Sequence, residues 1–170
     1  RVTPLVVSMR VTLDYTAEVA ATGLLHDFFA RIAEETMKRL PAELCGTKEQ
    51  VTLSAVLVSP DRIQELNRPY RGKDAVTDIL SFGEYADTDA FAKEEGKDIF
   101  LGELFFCYDF ISRSAKEDEV NIEREMTYVF SHGILHLLGY DHSDEMFAIQ
   151  DAVTSALNTE EVAKKQTPIV

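Results

Sequence analysis

The chain has no tryptophan, two cysteines among its 170 residues, and no apolar run long enough to span a bilayer. A membrane-crossing helix needs about 20 consecutive apolar residues. Leu5-Val6-Val7 also falls far short of the roughly 7–15 residues of a signal-peptide core. These absences point to a cytoplasmic protein that does not meet a membrane. Cys45 and Cys107 are far apart and form no Cys-x-x-Cys pair, so they read as free thiols of a reducing compartment, with a disulfide left open. Positive charge is scarce as well: 17 Lys and Arg face 30 Asp and Glu, for a net charge of −13. That balance excludes broad, non-specific coating of nucleic acid, although it leaves room for a local basic patch.

Hydrophobic residues make up 45% and charged residues 28% of the chain, the ordinary proportions of a globular domain that can bury its own core. Without a repeat, a low-complexity tract or a composition break, residues 1–170 read as one domain, with 1–8 and 163–170 as flexible ends. Alternation predicts a strand over residues 5–14, and apolar, β-branched runs predict strands over 51–58, 77–82 and 99–107. Helices are expected from Thr22 or Gly23 to Leu40, with Leu25, Phe28, Phe29, Ile32, Met37 and Leu40 facing the core, and from Ser59 to Asn67, where Pro69 should stop the turn. Further helices are expected over 110–117, 122–138 and, capped by Ser143, on to Val162. Residues 84–98 carry six acids against two lysines and read as a solvated loop. The sum is an α+β fold: a small mixed sheet of about four strands with helices packed on it.

Three of the four histidines fall in the stretch Ser131-His-Gly-Ile-Leu-His-Leu-Leu-Gly-Tyr-Asp-His142. Two imidazoles four apart on a helix share one face, with Cβ atoms roughly 5–6 Å apart, so His132 and His136 can reach a single ion. Gly139 allows a left-handed helix end, and the turn after it can swing His142 back as a third ligand. Three protein ligands leave zinc an open position, the pattern of a catalytic site. Imidazole also suits copper, nickel and iron. The spacing matches that of metzincin proteases, but the position of their general-base glutamate holds Gly133, which cannot take a proton. That absence counts against peptide hydrolysis by that route. His26 stands alone and reads as a surface or core histidine.

A second stretch, Leu66 to Phe82, concentrates cations in a chain that is otherwise acidic. Arg71 is a planar fork suited to bidentate phosphate contact, Gly72 permits close backbone approach, and Arg68 and Lys73 are candidate substrate-binding residues beside it. A basic loop is by itself most often a solvated turn; its weight here comes from the metal ligands elsewhere in the chain. Asp141 is the candidate for orienting a histidine or holding the turn.

Together these stretches resemble the YbeY family, bacterial metal-dependent endoribonucleases of ribosomal RNA maturation. The family motif His-Gly-x-Leu-His-Leu-x-Gly-Tyr-Asp-His is matched from His132 to His142. Its Asn-x-x-Tyr-Arg-x-Lys-Asp-x-Pro-Thr-Asp-Val-Leu-Ser-Phe-Pro stretch is matched from Asn67, with Val76, Ile79 and Gly83 as departures. Leu101-Gly102-Glu103 resembles the family's Leu-Gly-Asp-Ile strand. The resemblance implies one Zn2+ per chain on His132, His136 and His142, and a catalytic role for Arg71. It further implies single-strand-selective cleavage of RNA in maturation of the small-subunit ribosomal RNA 3′ end, and a part in ribosome quality control. The acidic charge favours protein partners such as small-subunit ribosomal proteins or an assembly GTPase. Two other readings stay open at this point: a zinc hydrolase of another substrate, and a ribosome-assembly factor whose metal is structural.

Overall fold

The computed structural model describes residues 9–20 and 23–158. The ends expected to be flexible, the possible helix start at Thr22 and the last expected turn up to Val162 lie outside the described residues. In chain order the elements are β1 (Arg10–Ala17), α1 (His26–Lys38), α2 (Ala42–Cys45), β2 (Gln50–Leu57), α3 (Pro60–Arg71), β3 (Ile79–Gly83), α4 (Thr88–Ala92), β4 (Asp98–Phe106), α5 (Tyr108–Glu117), α6 (Ile122–Leu137) and α7 (Asp144–Leu157). The four strands lie in the order β1-β2-β4-β3. β1, β2 and β4 run parallel, and β3 pairs antiparallel at the β4 edge. The α+β class and the mixed sheet are as the sequence predicts.

The period of two along β2 places Val51, Leu53, Ala55 and Leu57 on one buried face. β4 keeps Ile99 and Leu101 on that face, then shifts register opposite Thr52 and Leu53 and continues with Leu104 and Phe106. Gly102 makes the shift possible: its φ is +136°, and a Cβ there would strike the Phe82 carbonyl. Against this face lies α6, whose Met126, Val129, Phe130, Ile134 and Leu137 are buried. The Phe130 ring meets Phe29 of α1 at 5.0 Å and Phe106 of β4 at 5.6 Å. A smaller cluster of Val58, Ile63, Leu80 and Cys107 lies apart from this main core, and α3 contributes Ile63 to it.

Four local expectations need correction. Helix α1 begins at His26, so Leu25 is the extended cap residue, out of the helical phase and 63% exposed. Between α1 and β2 the chain makes a further short helix, α2, which the sequence pattern did not mark. Helix α3 does not stop at Asn67; it runs through Pro69 to Arg71 and ends at Gly72, whose φ of +67° is left-handed. The N–H that Pro69 lacks would have bonded the Glu65 carbonyl, and that residue is exposed, so water can take its place. Residues 84–98 are not wholly solvated: α4 forms there, capped by Asp87, and buries Phe91 completely against Tyr85.

Candidate metal centre

Helix α6 carries His132 and His136 on one face of its last two turns, and its end is built to return the chain. Gly139 donates to the His136 carbonyl at 3.0 Å, and Tyr140 donates to the Leu135 carbonyl at 3.0 Å, the paired bonds of a Schellman ending. Gly139 has a φ of +94°, and a Cβ there would run into the backbone of Asp87. Glycine is thus required twice, by the turn and by the α4 cap pressed on it. The turn delivers His142, after which Ser143 caps α7 by accepting from Met146 N–H. The Nε2 atoms of His132, His136 and His142 lie 2.9, 3.2 and 3.3 Å from one another.

The tautomers decide what those distances mean. His136 Nδ1 faces the Tyr140 carbonyl at 2.9 Å and must carry its proton there. His132 Nδ1 faces Gln150 Oε1 at 3.2 Å; the Gln150 amide nitrogen donates to the Tyr128 carbonyl, which fixes the oxygen toward the histidine. Both Nε2 atoms therefore present lone pairs, and two lone pairs at 2.9 Å repel unless a cation lies between them. Around a tetrahedral zinc with bonds of about 2.0–2.1 Å, ligand nitrogens are roughly 3.3 Å apart. The three nitrogens fit that spacing, so this group could hold a metal ion.

Gln150 was not singled out from sequence, although a signal was present: it is a fully buried amide within the apolar stripe Met146, Ile149, Val153 of α7. The ring-orienting bonds go to Gln150 and to the Tyr140 carbonyl. Asp141 is exposed, and no hydrogen bond joins it to a histidine ring among the described residues.

The three rings line one wall of a cleft of about 600 Å³, whose other wall is β3 and the end of α3. Arg71 and Tyr70 of α3 line it, as do Asp78, Ser81, Tyr85 and Asp141. Neither Arg68 nor Lys73 does, and Arg68 is paired with Asp74 at 2.9 Å. The extension of α3 past Pro69 matters here, because it puts Arg71 on a helix end instead of a free loop. Asn67 donates to the Ala75 carbonyl at 2.9 Å and ties the following loop back to α3. Tyr70 Oη donates to the Ser81 carbonyl at 2.6 Å, and Ser81 Oγ donates to the Gly133 carbonyl at 3.0 Å. The Arg71 side and the histidine side are thereby linked through β3. Among lining residues one arginine faces two aspartates, so a divalent ion turns the local sum from −1 to +1. A larger hollow of about 1050 Å³ lies near Met9, Lys38 and Cys45, but no histidine lines it.

Burial holds the His132 and His136 imidazoles below the ordinary value of 6.5. Both are then neutral near pH 7, the form that binds metal. Below pH 6.5 the unfolded chain takes up protons that the folded, metal-free protein resists, so stability falls as the pH drops through that range. His26 works in the opposite sense: bonding to the Leu13 carbonyl, then to Asp27, raises its value. Urea unfolding of chelator-treated protein should therefore give lower stability at pH 5.5 than at pH 7.5, with a steeper fall in His26→Gln. Equal stability at both pH values would mean that the two buried rings are as well solvated folded as unfolded.

A family profile described as endoribonuclease YbeY matches residues 17–158. A Macrococcus caseolyticus protein named endoribonuclease YbeY is 36% identical over 152 residues, covering 76% of this chain and 93% of that one. A Lysinibacillus sphaericus protein of the same name is 32% identical, covering 85% and 94%. A Ureaplasma urealyticum protein, also so named, reaches 42% over 108 residues, which is 59% of this chain and 64% of that relative's length. The solution structure of a Thermotoga maritima protein aligns with a TM-score of 0.60 at 29% identity, over 90% of this chain and 93% of that one. The chain therefore belongs to the endoribonuclease YbeY family, a family of RNA-cleaving hydrolases.

Proposed function

We propose that this chain is a zinc-dependent, single-strand-selective endoribonuclease that acts in maturation of the small-subunit ribosomal RNA 3′ end and in ribosome quality control. On this reading the whole chain is one cytoplasmic domain that holds one zinc ion and works beside small-subunit ribosomal proteins or an assembly GTPase. One observation carries the reading: three histidine Nε2 atoms converge within 3.3 Å of one another on the cleft that Arg71 also lines. A divalent ion held by His132, His136 and His142 would supply Lewis acidity to a phosphoryl oxygen.

The protein's own groups do the rest. Arg71 holds the phosphate and stabilises the negative charge that grows on it. All three histidines are turned onto the ion site, so none is free as a base; Asp78 and Asp141 are the carboxylates that line the cleft. Against a structural role for the metal stands the exposure of His142 and the absence of a fourth protein ligand among the described residues, since structural zinc sites are closed.

Stripping the metal and restoring it, with single-stranded RNA as substrate, tests this reading. Cleavage is expected to vanish with chelator and return with zinc. Arg71→Ala should retain its zinc yet lose on the order of 10²–10³ in kcat, the usual loss when a donor to a developing oxyanion is removed. Full activity in that variant, or cleavage indifferent to chelator, would overturn it.

A further inference from the structure

Two of the four exposed large hydrophobic side chains among the described residues lie at the metal site, Tyr70 in the lining of the cleft and Phe147 outside that lining but against the His142 ring. Tyr70, 50% exposed, lines the cleft beside Arg71. Phe147, 38% exposed, sits on the first turn of α7 with its ring inclined by 28° to that of His142, centroids 6.0 Å apart. Resting on the reading of this cleft as an RNA-cleaving centre, we propose that Tyr70 and Phe147 are stacking platforms for unpaired bases on the two sides of the bound phosphate, and so are the residues that select single strands.

Tyr70 is built as a platform. Its hydroxyl is fixed on the Ser81 carbonyl at 2.6 Å, and its ring packs on Phe82 at 4.1 Å, which in turn meets Phe105 edge-on at 5.5 Å. One face is backed and the hydroxyl is occupied, which leaves the solvent face for a flat apolar ligand. An ordered ring loses little further entropy when a base settles on it. Phe147 has no polar group, and the ring nearest to it is a metal ligand. A base lying there would cover His142 and keep water from that side of the cleft.

Charge makes such platforms necessary. With Arg71 as the one cationic side chain lining the cleft among the described residues and a chain charge of −13, phosphate contacts are few. Stacking is the remaining source of grip, and it needs a base whose faces are free. A duplex, whose bases stack on one another, cannot supply one.

The test is binding of a short, cleavage-resistant 2′-O-methyl RNA strand that contains 2-aminopurine, whose fluorescence is quenched on stacking. The protein has no tryptophan to interfere. Phe147→Ala and Tyr70→Ala should each weaken binding about tenfold and reduce the quench, as expected for one lost stack. Phe147→Tyr and Tyr70→Phe should keep both, and Phe100→Ala, an exposed aromatic outside the cleft, should change neither. On cleavable single-stranded RNA the two alanine variants should raise KM about tenfold with kcat largely kept. Wild-type affinity and quench in both alanine variants, or full retention of both by Phe147→Leu, would overturn the platforms. Wild-type protein that binds the strand but never cleaves RNA would sink the reading of the cleft instead, whereas cleavage with unmoved KM in the variants would sink the platforms alone.

Discussion

Replacing His136 by alanine is expected to abolish metal binding at micromolar zinc and, with it, RNA cleavage. His136 Nε2 is the nearest neighbour of both other ligand nitrogens, at 2.9 and 3.2 Å, so its loss leaves two imidazoles separated by the widest gap of the three. If binding of about 10–16 kcal/mol at a four-ligand zinc site is shared among its ligands, each is worth about 3 kcal/mol, or roughly two hundredfold in affinity. The effect is also readable as stability. Zinc at a thousand times its Kd stabilises a folded protein by about 4 kcal/mol, which for a chain of this size is about 8–16 °C in Tm. Wild-type protein should show that rise on adding zinc, and His136→Ala should show almost none. Metal-free forms of the two should melt close together, because the variant loses one bond to the Tyr140 carbonyl and also relieves the crowding of lone pairs. Retention of about one zinc per chain by His136→Ala would refute the assignment.

The sequence made this centre legible to the extent that it is local. His132 and His136 are related by helical periodicity, and His142 by a glycine turn six residues long, so the geometry follows from spacing alone. Residues brought in by tertiary packing left weaker marks. Gln150 orients His132 from another helix, and its trace in the sequence was a single amide in an apolar stripe. Tyr70 was visible as a motif residue, but its fixed ring depends on Ser81 and Phe82 of a strand eleven residues on. β2, β3 and β4 lie close to the expected 51–58, 77–82 and 99–107 because apolar, β-branched runs are a strong signal, whereas β1 runs on to Ala17 past the expected end at Asp14, and residues 5–8 of that expected strand lie outside the described residues. In the acidic 84–98 segment the charges mask one anchor, Phe91, and its Asp87 cap. Pro69 reads as a helix breaker, whereas a proline in an exposed last turn leaves only a carbonyl that water can satisfy. That carbonyl decides whether Arg71 stands on a helix end or in a loop, and with it the stiffness of the cleft wall.

Gly133 supplies the second large effect, and it is on folding. Gly133→Glu would restore the residue that follows the first histidine in metal proteases, yet it is expected to unfold the protein and not to create a protease. A Cβ at this position would lie 2.6 Å from Ile79 Cδ1 and 3.1 Å from Leu104 Cδ2, so the side chain would point into the sheet, away from the ion. The helix rests this close to β3 and β4 because the position is glycine, and the same approach lets Ser81 Oγ reach the Gly133 carbonyl. Overpacking costs about 1–3 kcal/mol, and a carboxylate buried without a cation adds several more. Against a typical total stability of about 5–15 kcal/mol, that sum removes most or all of the folded state. Gly133→Ala separates the two causes. It carries no charge, the nearest atom is the free end of the Ile79 side chain, and alanine gains about 1 kcal/mol of helix propensity over glycine. Its net cost should therefore stay below about 2 kcal/mol, with zinc still bound. Urea unfolding of both variants decides the matter: a Gly133→Glu protein as stable as wild type would mean that α6 does not pack on Ile79 as described.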